Sequence, residues 1–176
     1  MRHERRYWLF KSEPSVFSFE DLKNSPGSTA CWDGVRNFQA RNYLRDEIKR
    51  GDGVLFYHSN TPWPHVSGIA VVVSEGYPDM TALDPDSSHF DPRSTLQNPV
   101  WYMVDVRYCM PLAREITLEE LKTHPELSGM VLLQRSRLSI QPVSSVEWEI
   151  LLHLGGISRD DAELQMETQI RECIKH

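Results

Sequence analysis

Apolar positions along the chain fall in short clusters whose spacing changes from one segment to the next. Tyr7–Lys11 (YWLFK) is nearly continuous and is followed by Ser-Glu-Pro-Ser, which predicts a short buried strand closed by proline. Ser18 stands three residues before Asp21, approximating a capping box, and Phe19 and Leu22 give the following helix an apolar side. Ala40, Leu44 and Ile48 recur at i, i+4 and i+8, with Arg41, Arg45 and Lys49 rotated by about 100°. That spacing predicts an amphipathic helix over 38–50 with a basic flank, ended by Gly51. Its N-terminus falls near Val35–Asn37, where the Trp32–Gly34 turn delivers it and free backbone N–H groups point outward.

Further on, GVLFYHS (53–59) and SGIAVVVSE (67–75) are rich in β-branched and aromatic residues and predict two strands joined by the Pro-Trp-Pro loop 60–66. Residues 77–99 hold four prolines and four aspartates without periodicity, so they predict a long loop. PVWYMVDVRYCMP (99–111) reads as a third long strand with Trp101 and Met103 on a buried face. Thr117 to Glu120 opens a short helix, GMVLLQRSRLSIQPV (129–143) reads as one or two strands, and Ser144 to Glu147 caps VEWEILLHL, stopped by Gly155-Gly156. Beyond Ile157, Ser158 and Asp161 start a charged helix with one apolar stripe: Ala162, Met166, Ile170 and Cys173/Ile174. The expected organisation is a domain over 1–156 with a helical appendage, 157–176, that packs back on the body or pairs with a partner. Five or six strands with short helices, and no strand–long helix–strand alternation, predict an α+β domain with a closed or nearly closed sheet.

At 176 residues the chain suits one domain and one sizeable core. No segment approaches the roughly 20 apolar residues that span a bilayer, and MRHERRYWLF lacks a signal-peptide h-region, so no membrane partner is expected and the protein is read as cytoplasmic, or nuclear in a eukaryote. Cys31, Cys109 and Cys173 are odd in number and widely spaced, which fits a reducing compartment and offers no zinc or redox spacing. The net charge of −6 argues against a general grip on phosphates. It hides an asymmetry: residues 1–50 hold ten Lys/Arg against seven Asp/Glu, while 51–176 hold nine against eighteen. An anionic polymer would therefore meet the N-terminal third.

Cys31, His58 and an aspartate can be drawn as a nucleophilic triad, but no local signature supports it. There is no G-x-S-x-G, H-E-x-x-H or phosphate-cradling glycine loop, and no cofactor or metal is implied. DPDSSHFD (84–91) lacks the glycine and terminal glutamate of a calcium loop and is read as solvated. Among the aromatics, Trp8 and Trp148 sit in apolar runs and read as core. Trp32 and Trp63 lie beside turn residues with polar neighbours. A ring at a loop edge near Asn37, with Tyr57, His58 and Ser59 at a strand end, supplies the ingredients for holding a planar heterocycle by stacking and edge hydrogen bonds. Arg36, Arg41 and Arg45 would then take flanking phosphates.

The stretches YWLFKSEP (7–14), WDGVRNFQARN (32–42), GDGVLFYHS (51–59), GIAVVVSEGYPD (68–79), NPVWYMVDV (98–106) and SRLSIQPVSSVEW (136–148) resemble the EVE domain family, and run in order through almost all of 7–156. The resemblance implies a PUA-like fold, a small mixed β-barrel of five or six strands with surrounding short helices. It also implies a non-catalytic pocket for one modified base, notably a substituted cytosine, in DNA or RNA. Carried onto this chain, the pocket draws on Ser12, Trp32, Asn37, Tyr57, Ser59, Arg137 and Ser139. Two departures stand out: Phe38 where tyrosine is commoner, and Pro62-Trp63-Pro64-His65 where smaller residues are usual. Residues 157–176 lie outside the resemblance. The competing readings are an enzyme acting on a modified base, prompted by Cys31 and His58, and a small-ligand or protein-interaction module, with self-association through the C-terminal helix.

Overall fold

The computed structural model describes residues 3–135 and 137–175; Ser136, in the SRLS stretch, lies outside them. In chain order the elements are β1 (Tyr7–Ser12), α1 (Phe19–Asn24), β2 (Thr29–Cys31), α2 (Phe38–Asn42), β3 (Gly53–His58), β4 (His65–Val72), β5 (Tyr77–Pro78) and β6 (Tyr102–Met103). The second half adds β7 (Asp105–Thr117), α3 (Leu118–Lys122), α4 (Val131–Gln134), β8 (Ile140–Val143), α5 (Ser145–Leu154) and α6 (Arg159–Ile174). Six strands form one mixed sheet in the order β2-β7-β4-β3-β1-β8, curled into a half-barrel, and β5 pairs with β6 beside it. Only β1 and β3 are parallel neighbours, with Leu9 opposite Leu55 and Phe10 opposite Phe56.

Because side chains alternate along a strand, each face of this sheet carries its own core. Tyr7, Leu9, Leu55, Tyr57, Val66, Ile69 and Trp148 pack on one side. Trp8, Phe10, Val54, Phe56, Ala70 and Trp32 pack on the other. The predicted third strand is longer than its sequence suggested, since β7 continues through Pro111 to Thr117. Pro111 sits opposite Gly68 where the register slips, and β2 covers β7 only as far as Arg107. Along that outer edge no partner asks for the missing N–H, so proline is tolerated. Gly68 also lets α1 lie close, because a Cβ there would come within 2.2 Å of the Phe19 ring.

Two expectations are corrected. The helix predicted over 38–50 is α2 followed by a wide π-turn over Tyr43–Glu47, and the chain is extended at Ile48. The cause is Asp52, fully buried, whose Oδ2 accepts hydrogen bonds from the Lys49 backbone N–H and from the Trp8 indole N–H, both at 3.0 Å. It pulls Lys49 out of the helical ladder. VLLQ, read as strand, is the short helix α4, and only Ile140–Val143 joins the sheet. Short apolar runs do not distinguish these two states.

The capping boxes at Ser18 and Ser144 form as predicted, each with reciprocal side-chain and backbone hydrogen bonds. α6 is capped by Ser158 and lies against the sheet: Ala162 and Met166 are fully buried with Trp148 and Leu9. Arg5 bonds Glu163 and Glu167, and Arg107 bonds Gln169 and Glu172, which fixes the helix along its length. None of the described helices is long and apolar enough to cross a membrane.

Candidate functional site

On the Trp32 face, β1 ends at Ser12 and the chain turns back, with the Val16 and Phe17 N–H groups both donating to the Glu13 carbonyl at 2.9 Å. The Ser12 hydroxyl donates to the Phe17 carbonyl at 2.6 Å and pins that turn to the strand end. Opposite, β2 runs out at Cys31, and one further bond from Trp32 N–H to the Val104 carbonyl (2.7 Å) holds the tryptophan in register. Gly34, at φ +75°, then bends the chain away. Between the turn and the bend lies a cleft of about 580 Å³, within the usual size of small-molecule sites.

The Trp32 indole forms the cleft's aromatic wall. It is 8% exposed and stands edge-on to Phe17 and Phe56, with ring centroids at 6.3 and 5.4 Å, and tilted against Phe10 at 5.2 Å. These contacts leave the ring rigid while one part of it meets the opening. Around it stand Lys11, Ser12, Glu13, Cys31, Asp33 and His89. His89 comes from the long 77–99 loop and its ring lies on Gly34, where a Cβ would approach Cε1 to 2.5 Å.

That loop is tied down by two aspartates. Asp79, 1% exposed, accepts from the Gly34 N–H and from Arg36 at 2.9 Å through Oδ2, and from the Thr81 N–H and hydroxyl through Oδ1. Burial pushes the Asp79 carboxyl up, but the hydrogen bonds from Thr81, Arg36 and Gly34 outweigh it and hold the group below its ordinary range. Arg36 also donates to the His89 carbonyl at 2.7 Å. Asp91 accepts from the Trp101 indole N–H at 2.7 Å and from Arg93. Within the segment read as solvated, residues 84–86, 88 and 90 are exposed as expected, while His89 lines the cleft and Asp91 is buried.

The structure brings Ser12 and Trp32 together in the cleft and distributes the other expected residues elsewhere. Asn37 caps α2, its Oδ1 accepting from the Ala40 N–H at 3.0 Å, and does not line the cleft. Tyr57 is 2% exposed on the opposite face of the sheet, because it is one residue out of phase with Phe56, and burial pushes its phenol up to about 12. Ser59 donates its backbone N–H to the Ser12 carbonyl, and the Ser139 carbonyl accepts from the Lys11 N–H, both at 2.9 Å; these two residues position the end of β1. Arg137 is exposed and does not line the cleft.

Of the three arginines, Arg36 donates to Asp79 at 2.9 Å and to the His89 carbonyl at 2.7 Å, which braces the loop. Arg41 donates to the Val100 carbonyl at 2.6 Å and lies over Phe38, whose ring stacks on Trp101. Arg45 pairs with exposed Asp46 at 2.7 Å. Such exposed pairs contribute little to stability and are readily exchanged for another anion.

The groups that prompted an enzymatic reading are arranged otherwise. Burial and the nearby Asp33 and Asp105 carboxylates push the Cys31 thiol upward, away from the thiolate a nucleophile needs. His58 Nε2 accepts from the Phe19 N–H at 3.0 Å, so Nδ1 carries the proton and faces Ser67 Oγ at 3.2 Å. Both ring nitrogens are engaged away from Cys31. No group of three or more His, Cys, Asp or Glu placed to hold a metal occurs among the described residues.

Glu13, Phe17, Asp33 and His89 were not expected in the site. Glu13 and Asp33 fall inside quoted motifs and Phe17 three residues beyond one, so these were within reach of sequence reasoning; His89 carried no local signal.

The half-barrel carries a rigid aromatic cleft at the end of its first strand, and comparison with known proteins identifies its family. The EVE domain model matches residues 6–154, and the chain belongs to that family. It is 45% identical to thymocyte nuclear protein 1 of Mus musculus, over 84% of this chain and 73% of that protein. The crystal structure of human THYN1 protein in complex with 5-methylcytosine containing DNA superposes with a TM-score of 0.81 at 43% identity, covering 87% of this chain and 99% of that one. The YTH domain of Zygosaccharomyces rouxii MRB1 protein, 18% identical with a TM-score of 0.50 over 90% of this chain and 88% of that one, shares the fold.

Proposed function

We propose that this protein is a non-catalytic reader of a single modified base in nucleic acid, with 5-methylcytosine the leading candidate, and that the base enters the Trp32 cleft. The observation that carries the reading is the open cleft against a rigid indole, in a chain 43% identical to a protein crystallised with 5-methylcytosine DNA. A base has to leave its stack to enter such a site, and an unpaired or flipped nucleotide presents both a face and an edge. The raised Cys31 thiol and the engaged His58 nitrogens support binding over turnover. A nuclear location in a eukaryotic cell is part of this reading, supported by the name of the relative thymocyte nuclear protein 1.

Stacking contributes about 1–3 kcal/mol per base, whereas micromolar affinity requires about 8 kcal/mol. Edge hydrogen bonds and local phosphate contacts have to supply the remainder. Arg41, half-buried near the end of α2, and Arg45, exposed in the π-turn that follows, are the cations placed to do so; with a net charge of −6 the binding is weak and salt-sensitive. Titration of single-stranded oligonucleotides carrying one central 5-methylcytosine or cytosine, against wild type and Trp32→Ala, tests the proposal. Wild type favours the modified strand and Trp32→Ala loses at least about fivefold in affinity, the low end of the stacking range. Equal binding of every strand by both proteins refutes it.

A further inference from the structure

The polar side chains of the cleft include two carboxylates, Asp33 and Glu13, beside Lys11, Ser12 and His89. The Asp33 and Glu13 carboxylates have no hydrogen-bond or ion-pair partner among the described residues. The Ser12 hydroxyl has already given its proton to the Phe17 carbonyl, so the lone pairs on Oγ are what it has left for a ligand. Three acceptors thus ring the aromatic wall. Lys11 is the one lysine or arginine among the described lining residues, and the Arg36 guanidinium behind Gly34 is held by Asp79 and the His89 carbonyl. A free carboxylate favours a ligand group that donates to it, and a carbonyl oxygen set against it is desolvated at a loss.

Asp33 is the best placed of the three. Its neighbours are both anchored, Trp32 through the Val104 carbonyl and Gly34 through the Asp79 carboxylate, so its short side chain has little freedom. Glu13 is longer and exposed at the mouth. We propose that Asp33 sets the base specificity of the cleft, accepting a hydrogen bond from an exocyclic amino group and so admitting amino-bearing pyrimidines while rejecting their carbonyl counterparts. The pair that tests this choice is 5-methylcytosine against thymine, which share the 5-methyl group and differ at position 4, an amino donor in one and an oxygen acceptor in the other, and at N3, an acceptor in one and an N–H donor in the other. The inference rests on the base-reading function proposed above. It also assigns the phosphates to the arginine flank, because the two cleft carboxylates repel them.

The test uses the full chain and three single-stranded DNA probes, identical except for a central 5-methylcytosine, thymine or abasic site. Wild type binds the 5-methylcytosine strand at least about fivefold more tightly than the thymine strand, the low end of discrimination by one such contact. Asp33→Asn, whose amide can turn either its donor or its acceptor to the base, brings that ratio to within about twofold while both strands still bind above the abasic one. Glu13→Gln leaves the ratio as in wild type. Asp33 is part-exposed, so a melt matching wild type is expected, and Asp33→Ser serves as a second variant with the same predicted loss of ratio. An unchanged ratio in both Asp33 variants, or a collapse in Glu13→Gln alone, overturns the assignment and leaves the reader function standing. Wild type that binds all three strands alike overturns both.

Discussion

At the scale of single residues, the cleft depends on atoms that are absent as much as on those present. Gly34 combines a positive φ with a histidine ring lying where its side chain would be. Gly34→Ala adds left-handed strain and pushes His89 off the wall, costing about 1–3 kcal/mol. A lowered melting temperature together with weaker binding of the modified strand is the expected result; unaltered binding would mean that His89 is not part of the wall. Tyr57 and Asp33 show how much of the site could be read from the chain. Strand alternation separates Tyr57 from Phe56 as soon as one of them is known to touch Trp32, but nothing in the sequence says which face the tryptophan joins. Asp33 was in view within WDGVRN, and only the partners of its neighbours distinguish it from any solvated aspartate.

Secondary elements show the same division. The helix starts at Ser18, Ser144 and Ser158 were legible because a cap is a code of four consecutive residues, closed by bonds that need no other part of the molecule. The end of the helix after Asn37 was not, because the residue that cuts it short is Asp52, buried against Trp8. The start of α1 carries a titratable lock. Burial, then repulsion from His65, hold His58 below its ordinary value of 6.5, against the attraction of Glu115 and Asp21. Protonating Nε2 would set a donor against the Phe19 N–H. The unfolded chain takes up the proton more readily than the folded one, so this contribution is fully present above about pH 6.5 and is lost as the pH falls below it. Urea unfolding is expected to show stability falling between about pH 7.5 and 5.5, with a smaller fall in His58→Gln, whose amide oxygen can keep accepting from Phe19 at either pH. An identical slope in the two proteins would remove His58 from the account.

For the whole molecule, the helix over 159–174 closes one of the two cores. The apolar stripe that the sequence left open between packing back and pairing with a partner covers the sheet of its own chain through Ala162 and Met166. Met166→Ala opens a cavity beneath Trp148 and Gly53, and large-to-small changes at buried sites cost about 2–5 kcal/mol. Chemical denaturation is expected to show a loss of that size, with base binding retained because the cleft lies on the other face. A loss below about 1 kcal/mol would mean the helix is only loosely docked.

What the sequence by itself determined is local or periodic: strands from β-branched runs, helix starts from caps, a mixed α+β domain from the absence of long crossover helices, and the motifs that mark an EVE domain. Those signals act between residues a few positions apart, so they survive in one dimension. Only the tertiary structure decided which face of the sheet holds Trp32, that His89 and Asp79 come back to Gly34, and that Arg36 is an internal brace while Arg41 and Arg45 stay on the surface. Each of these is set by a partner distant in sequence, and pairing of that kind is chosen by the packing of the whole core rather than by any spacing along the chain.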